Sequence, residues 1–202
     1  MNHYYTIEKA SVAEFKDRGS RFLAHAFPIQ SADDFKKRLK ELKEEHSKAT
    51  HHCFAYRIGT DGNNFRCGDD GEPSGSAGKP ILGQIDSKEL TNVAVVVVRY
   101  FGGTLLGVPG LINAYKTATS LALQLTAIVQ KAVMVQYELQ FDYTVMNEVM
   151  MVVKRFGLSV LQNEMQLFCR MVIGIPKENL DLTLEKLQHM RGLELIESKQ
   201  LL

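Results

Sequence analysis

The chain has 202 residues, with 24 Lys and Arg against 23 Asp and Glu for a formal net charge of +1, and 45% of its residues are apolar. That length buries a sizeable core as one large domain or two small ones. The composition excludes a disordered polyelectrolyte, and the charge balance excludes a global field that by itself draws the chain to nucleic acid. The apolar stretches are too short or too interrupted to span a bilayer, and "MNHYYTIEKASVAEF" lacks the apolar core of a secretion signal. Cys53, Cys67 and Cys169 have no C-x-x-C spacing. They read as reduced thiols, and the expected location is cytoplasmic.

In chain order, "HYYTIEK" and "SRFLAHAFPI" predict two short strands joined by the charged turn "FKDRGS". "SADDFKKRLKELKEEH" predicts a helix capped by Ser31, with Asp33 and Asp34 in its first turn and Phe35, Leu39 and Leu42 on its apolar side. "HHCFAYRI" and "FRC" form a hairpin around "GTDGNN". "GDDGEPSGSAGKPILGQI" is a long loop whose end, from "KPILGQI" through "DSKEL", starts a helix; "NVAVVVVRYF" is a buried strand. From Gly110, "LINAYKTATSLALQLTAIVQ" is apolar over most of its circumference and predicts a buried helix.

A boundary near Lys131 divides the chain into domains 1–130 and 131–202. Beyond it the predicted order is strand 132–142, helix 144–156, strand 158–163, strand 167–175, helix 177–190 and strand 193–198. This β-α-β-β-α-β pattern is ferredoxin-like, so the expected class is α+β.

Two stretches concentrate the chemistry. In "RYFGGTLLGVPGLINAY", Gly102, Gly103, Gly107 and Gly110 lead into a helix start, where unpaired N–H groups and the helix dipole favour an anion. The spacing matches neither G-x-G-x-x-G nor the P-loop, so an anion cradle and a structural turn both stand. Arg99 and Tyr100 emerge from the buried strand beside it, suited to a phosphate contact and to stacking. The competing reading pairs Arg99 with Asp69, Asp70 or Glu72.

In the acidic loop, Asp69, Asp70 and Glu72 are candidate ligands for Mg²⁺, set against a loop shaped by Asx turns; Lys79 at its end is a candidate phosphate contact. His51 and His52 are adjacent in a strand and face opposite sides, so at most one serves a given site. Cys53 as a nucleophile ranks below Cys53 as a small core residue. No G-x-S-x-G elbow is present, and no catalytic residue is nominated.

"DRGSRFLA", "ATHHCFAYRIG", "DDGEPSGSAGKPIL" and "VVVVRYFGGTLLGVPGLINAY" together resemble the successive signature blocks of the IMPACT/YigZ family, across residues 16 to 128. The tail from 132 resembles the smaller C-terminal domain of its bacterial members. The blocks fall on His51, Asp69, Asp70, Glu72, Pro73, Gly75, Gly78, Arg99, Tyr100, Phe101, Gly102, Gly103, Gly107, Gly110 and Tyr115; Ser76 stands where Thr is common, and the hydroxyl is kept. The resemblance implies an N-terminal domain with the left-handed βαβ fold shared by a ribosomal protein and the GHMP kinases, followed by a ferredoxin-like domain. It also implies a link to regulation of translation, the role of the family's named eukaryotic member.

Three functions are carried forward. The first is a module that binds RNA or the ribosome and regulates translation, through His51, Lys79, Arg99, Tyr100 and the four glycines, or through an open C-terminal sheet face on which Phe168 is the candidate stacking aromatic. The second is a protein that binds or transforms a phosphorylated metabolite or nucleotide, with Mg²⁺ on the acidic loop. The third is a structural adaptor in which both loops serve only the fold. No membrane partner is expected, and no cofactor other than Mg²⁺ is considered.

Overall fold

The valine run forms the middle strand of a five-stranded antiparallel sheet in a computed structural model that describes residues 2–165 and 168–201. Leu167, the first residue of a predicted strand, lies outside the described residues. The first half of the chain comprises β1 (His3–Ile7), β2 (Ser11–Asp17), β3 (Ser20–Pro28), α1 (Ala32–Glu45), β4 (His51–Ile58), β5 (Asn64–Gly68), α2 (Gly78–Asp86), β6 (Val93–Tyr100), α3 (Gly107–Gln124) and β7 (Ile128–Ala132). The sheet order is β2-β3-β6-β4-β5.

Helices cover both faces of this sheet. Val93, Val95 and Val97 pack with Ile81 and Ile85 of α2 and with Leu111, Ala114 and Ala118 of α3. Ala94, Val96 and Val98 pack on the other side with Phe35 and Leu42 of α1. A strand buried on both faces has no solvent side to alternate toward, which is why β6 reads as a continuous apolar run. Helix α1 starts with a reciprocal capping box: Ser31 Oγ accepts from Asp34 N–H at 3.1 Å, and the Asp34 carboxylate accepts from Ser31 N–H at 2.9 Å.

Three elements differ from expectation. Residues 15–20 are not a turn, because β2 runs through Asp17 and pairs residue by residue with β3, from Ser11 opposite Ala26 to Asp17 opposite Ser20. Only Arg18 (φ 44°) and Gly19 (φ 80°) form the turn, a two-residue hairpin link in left-handed backbone. The charges that suggested a loop are those of an edge strand, where Lys and Glu are ordinary. Helix α2 stops at Asp86 rather than continuing through "DSKEL", and Glu89 turns the chain back at φ 53°. Helix α3 begins at Gly107, three residues before the expected start, and ends at Gln124; Ile128–Ala132 leaves it as β7, which pairs with β1. Pro109 sits in its first turn, where no N–H is needed.

The second half contains β8 (Met134–Phe141), α4 (Met146–Arg155), β9 (Ser159–Met165), β10 (Cys169–Pro176), α5 (Leu180–Gln188) and β11 (Leu193–Leu201). Its strands form an antiparallel sheet in the order β11-β8-β10-β9, and Leu139, Phe141, Met171 and Ile173 pack with Val149, Val152 and Leu187 of the two helices. The chain divides into two compact units, Tyr4–Lys131 and the residues from Ala132 onward together with those through His3. The architecture is α+β.

Candidate functional site

The acidic loop between β5 and α2 is organised from within by Asp69. Its Oδ2 accepts from Gly75 N–H at 2.9 Å, and its Oδ1 accepts from Ala77 and Gly78 N–H at 3.1 and 2.8 Å. The latter two are free donors at the start of α2, so Asp69 caps that helix from nine residues upstream. Burial alone would raise this carboxyl, but the donations from Gly75, Gly78 and Ala77 outweigh it and hold Asp69 below the ordinary value. Asp70, at φ 44°, straps the loop to β4: its carboxylate accepts from His52 N–H at 2.7 Å and lies 3.4 Å from Lys43 Nζ.

Glu72 points inward, and Arg99 at the end of β6 points toward it; the two are only 8% and 5% exposed. Arg99 Nη1 donates to Glu72 Oε1 at 2.6 Å, and the Tyr115 hydroxyl of α3 donates to the same oxygen at 2.7 Å. The Cys53 sulfur lies 3.2 Å from the Tyr115 hydroxyl and 2.9 Å from the Asp69 carbonyl. Burial pushes both the Cys53 thiol and the Tyr115 phenol well above their usual values, which removes Cys53 as a thiolate nucleophile. His51 Nδ1–H donates to the Asp70 carbonyl at 2.7 Å, and its Nε2 stands 3.9 Å from Glu72 Oε2. One network with a buried centre thus ties the acidic loop to β4, β6 and α3.

The glycine segment turns away from that network and rests on the β2–β3 turn. Gly102 N–H donates to Ser20 Oγ at 3.1 Å, and a Cβ on Gly102 would stand 1.9 Å from the Gly19 carbonyl carbon and 2.2 Å from Ser20 N. Two backbones are in direct contact here, and only glycine permits it. Gly102→Ala is therefore expected to destabilise the chain by about 1–3 kcal/mol, read by thermal or urea unfolding; an unchanged midpoint would contradict this contact. Gly103 and Gly107 follow with φ of 87° and 70°, and Gly110 lies inside the first turn of α3. At the same end of the sheet two cations meet aromatic rings, Arg21 opposite Tyr100 in the β3–β6 ladder and Arg99 beside Phe101. Arg21 lies over the Tyr100 ring at 5.7 Å, and the half-exposed Phe101 ring lies against Arg99 at 5.6 Å.

The Impact N-terminal domain model matches residues 18–123, the stretch that carries both the network and this surface. An IMPACT family member of Haemophilus influenzae is 31% identical over 90% of this chain and 89% of its own length. The chain belongs to the IMPACT family. IMPACT family member YigZ of Escherichia coli is 32% identical over 80% of this chain and 78% of its own, and Protein IMPACT of Rattus norvegicus is 38% identical over 47% of this chain and 31% of its own. A solved crystal structure described as a hypothetical protein is 27% identical, covers 99% of both chains and superposes with a TM-score of 0.78.

In this IMPACT-family chain the nominated residues fall into two groups. Asp69, Asp70, Glu72, His51 and Arg99 belong to the network around the acidic loop, with Glu72 and Arg99 buried at its centre and Asp70 at its exposed margin, and the three carboxylates serve three separate sets of partners. Among the described residues no group of three His, Cys, Asp or Glu side chains is placed to hold a metal ion. Arg99 takes Glu72, one of the three carboxylates left open for it, and its charge is spent inside the fold rather than at a surface. Lys79 is exposed at the start of α2, with no hydrogen bond or ion pair among the described residues tying it to the glycine segment.

Tyr100 and the glycines Gly102, Gly103 and Gly107 belong to the surface group, whose basic members sequence reading missed. These are Lys16, Arg18 and Arg21, with side chains 51–66% exposed and partly balanced by Glu14 and Asp17. The signal was present in "DRGSRFLA", but reading 15–20 as a connecting turn removed it from consideration.

The open sheet face of the C-terminal unit is mainly polar. It presents Gln136, Glu138, Gln140, Arg170, Val172, Glu194 and Ile196, with Glu138 bound bidentately by Arg170 at 2.7 and 2.8 Å. Phe168, the candidate aromatic, is exposed and immediately precedes β10, two residues before Arg170.

Proposed function

We propose that this chain is a regulator of translation that binds RNA, or RNA within the ribosome, through the N-terminal surface formed by the β2–β3 turn and residues 100–107. The observation that carries the reading is the cross-strand row of Lys16, Arg21 and Tyr100 on β2, β3 and β6, flanked by the exposed Arg18 in the turn that the Gly102 contact holds against residues 101–103. Cations supply the phosphate contacts, and aromatic rings beside them supply stacking. Membership of a family whose named eukaryotic member regulates translation supports the biological context. The C-terminal unit is read as ferredoxin-like, on its β-α-β-β-α-β order and its strand sequence, with the domain boundary at Lys131. The N-terminal unit is read as the family's left-handed βαβ domain.

Salt titration of RNA binding tests the proposal. Binding is expected to weaken with a log–log slope of about −2, corresponding to roughly three phosphate contacts at about −0.7 each on a single strand. A double variant, Arg18→Ala with Arg21→Ala, is expected to shallow that slope while leaving the melting temperature within about 2 °C, since exposed pairs contribute little to stability. Absence of binding, or binding indifferent to salt, removes the electrostatic basis of the proposal.

A further inference from the structure

Phe101 combines two properties that rarely coincide on a surface. The residue is 47% exposed, yet its backbone is held and its ring stands beside a buried guanidinium. Phe101 N–H donates to Thr50 Oγ1 at 3.3 Å, and the next residue is the immovable Gly102. The Arg99 guanidinium lies 5.6 Å from the Phe101 centroid and 5.4 Å from that of buried Phe22, so it stands beside both rings. Because Glu72 neutralises Arg99 and burial encloses it, this guanidinium supports the ring without competing for a phosphate.

Resting on the reading of this surface as RNA-binding, we propose that Phe101 is a base-stacking residue and that the nucleic acid taken here is single-stranded. A planar ring on a held backbone loses little freedom when a base covers it, and every base offers a π-face. Duplexes keep those faces covered by neighbouring base pairs, so only an unpaired base can occupy the ring. Arg18, exposed in the turn whose Gly19 touches Gly102, supplies a cation for a phosphate flanking the stacked base, while Arg21 and Tyr100 lie on the α1 side of the sheet.

The chain contains no Trp, so F101W introduces a single fluorophore at the proposed platform. Affinities of the full chain and its variants are measured by anisotropy with a labelled single-stranded oligoribonucleotide of roughly a dozen nucleotides, and with a duplex of the same length. The wild type is expected to prefer the single strand by about tenfold or more, and F101A and the apolar F101L each to lose about tenfold, within the range found for single stacked bases. F101W is expected to keep wild-type affinity and to change its emission on saturation.

Equal binding of duplex and single strand, undiminished affinity in F101L, or unchanged emission from saturated F101W overturns the inference. If the Arg18 and Arg21 variants weaken binding while the Phe101 variants do not, the RNA-binding reading stands and stacking falls. If the wild type binds neither oligonucleotide, both fall together.

Discussion

Replacing Glu72 with Ala is expected to lower the stability of the N-terminal unit by about 3–5 kcal/mol, because it leaves the Arg99 guanidinium buried without its carboxylate. The Tyr115 hydroxyl loses its acceptor in the same step, and the acidic loop loses its tie to α3. The double variant Glu72→Leu with Arg99→Met removes both charges at once. It should cost clearly less than the sum of the single changes, since no unpaired charge remains in the interior. Urea unfolding of the wild type, Glu72→Leu, Arg99→Met and the double variant completes the cycle. Additive losses, or a loss below about 1 kcal/mol for Glu72→Ala, would show that this pair is not the internal tie described above.

Acid is expected to weaken the same unit through His25, which lies on β3 under α1 at 6% exposure with neither ring nitrogen hydrogen-bonded among the described residues. Burial, with the nearby His46 and Arg38 adding to it, lowers its pKa from 6.5 to about 4. His46, whose ring centroid is 5.3 Å away, uses its Nδ1 on the Tyr100 hydroxyl at 2.9 Å. Burial also lowers His52, opposed by the neighbouring Asp70.

A histidine depressed in the folded state is neutral in both states above about pH 6.5 and contributes no pH dependence there. As pH falls from 6.5 toward 4 the unfolded chain takes up a proton that the folded chain refuses, so stability drops, and the drop levels off below about 4. At about 1.4 kcal/mol per pH unit the loss through His25 approaches about 3 kcal/mol. His25→Leu removes this component, so the stabilities of wild type and variant should diverge progressively as pH falls from 7 to 4. Parallel curves would mean that His25 reaches solvent or a partner when charged.

Local patterns that need no distant partner were legible in the sequence. The capping box of α1 lies within four consecutive residues, from Ser31 to Asp34, and β6 reads as doubly buried because six successive apolar residues precede Arg99. The β-α-β-β-α-β order of the C-terminal half followed from the alternation and helical periodicity of residues 132–198. The ends of α2 and α3 were less legible, since helix propensity changes gradually across residues that backbone turns then decide. β2 was missed because edge strands carry the same charged residues as turns.

Composition and patterning alone determined that this is a folded α+β chain with its densest chemistry in two loops, and the ordered blocks determined its family. Tertiary structure decided what each loop does. The acidic carboxylates, neighbours in sequence, diverge to a helix start, a strand edge and a buried arginine, because each is claimed by donors brought from a different element. The glycine segment meets a turn some eighty residues earlier in the chain. No spacing rule encodes that contact, which seats the β2–β3 turn against residues 101–103, or the β3–β6 register that sets Arg21 opposite Tyr100.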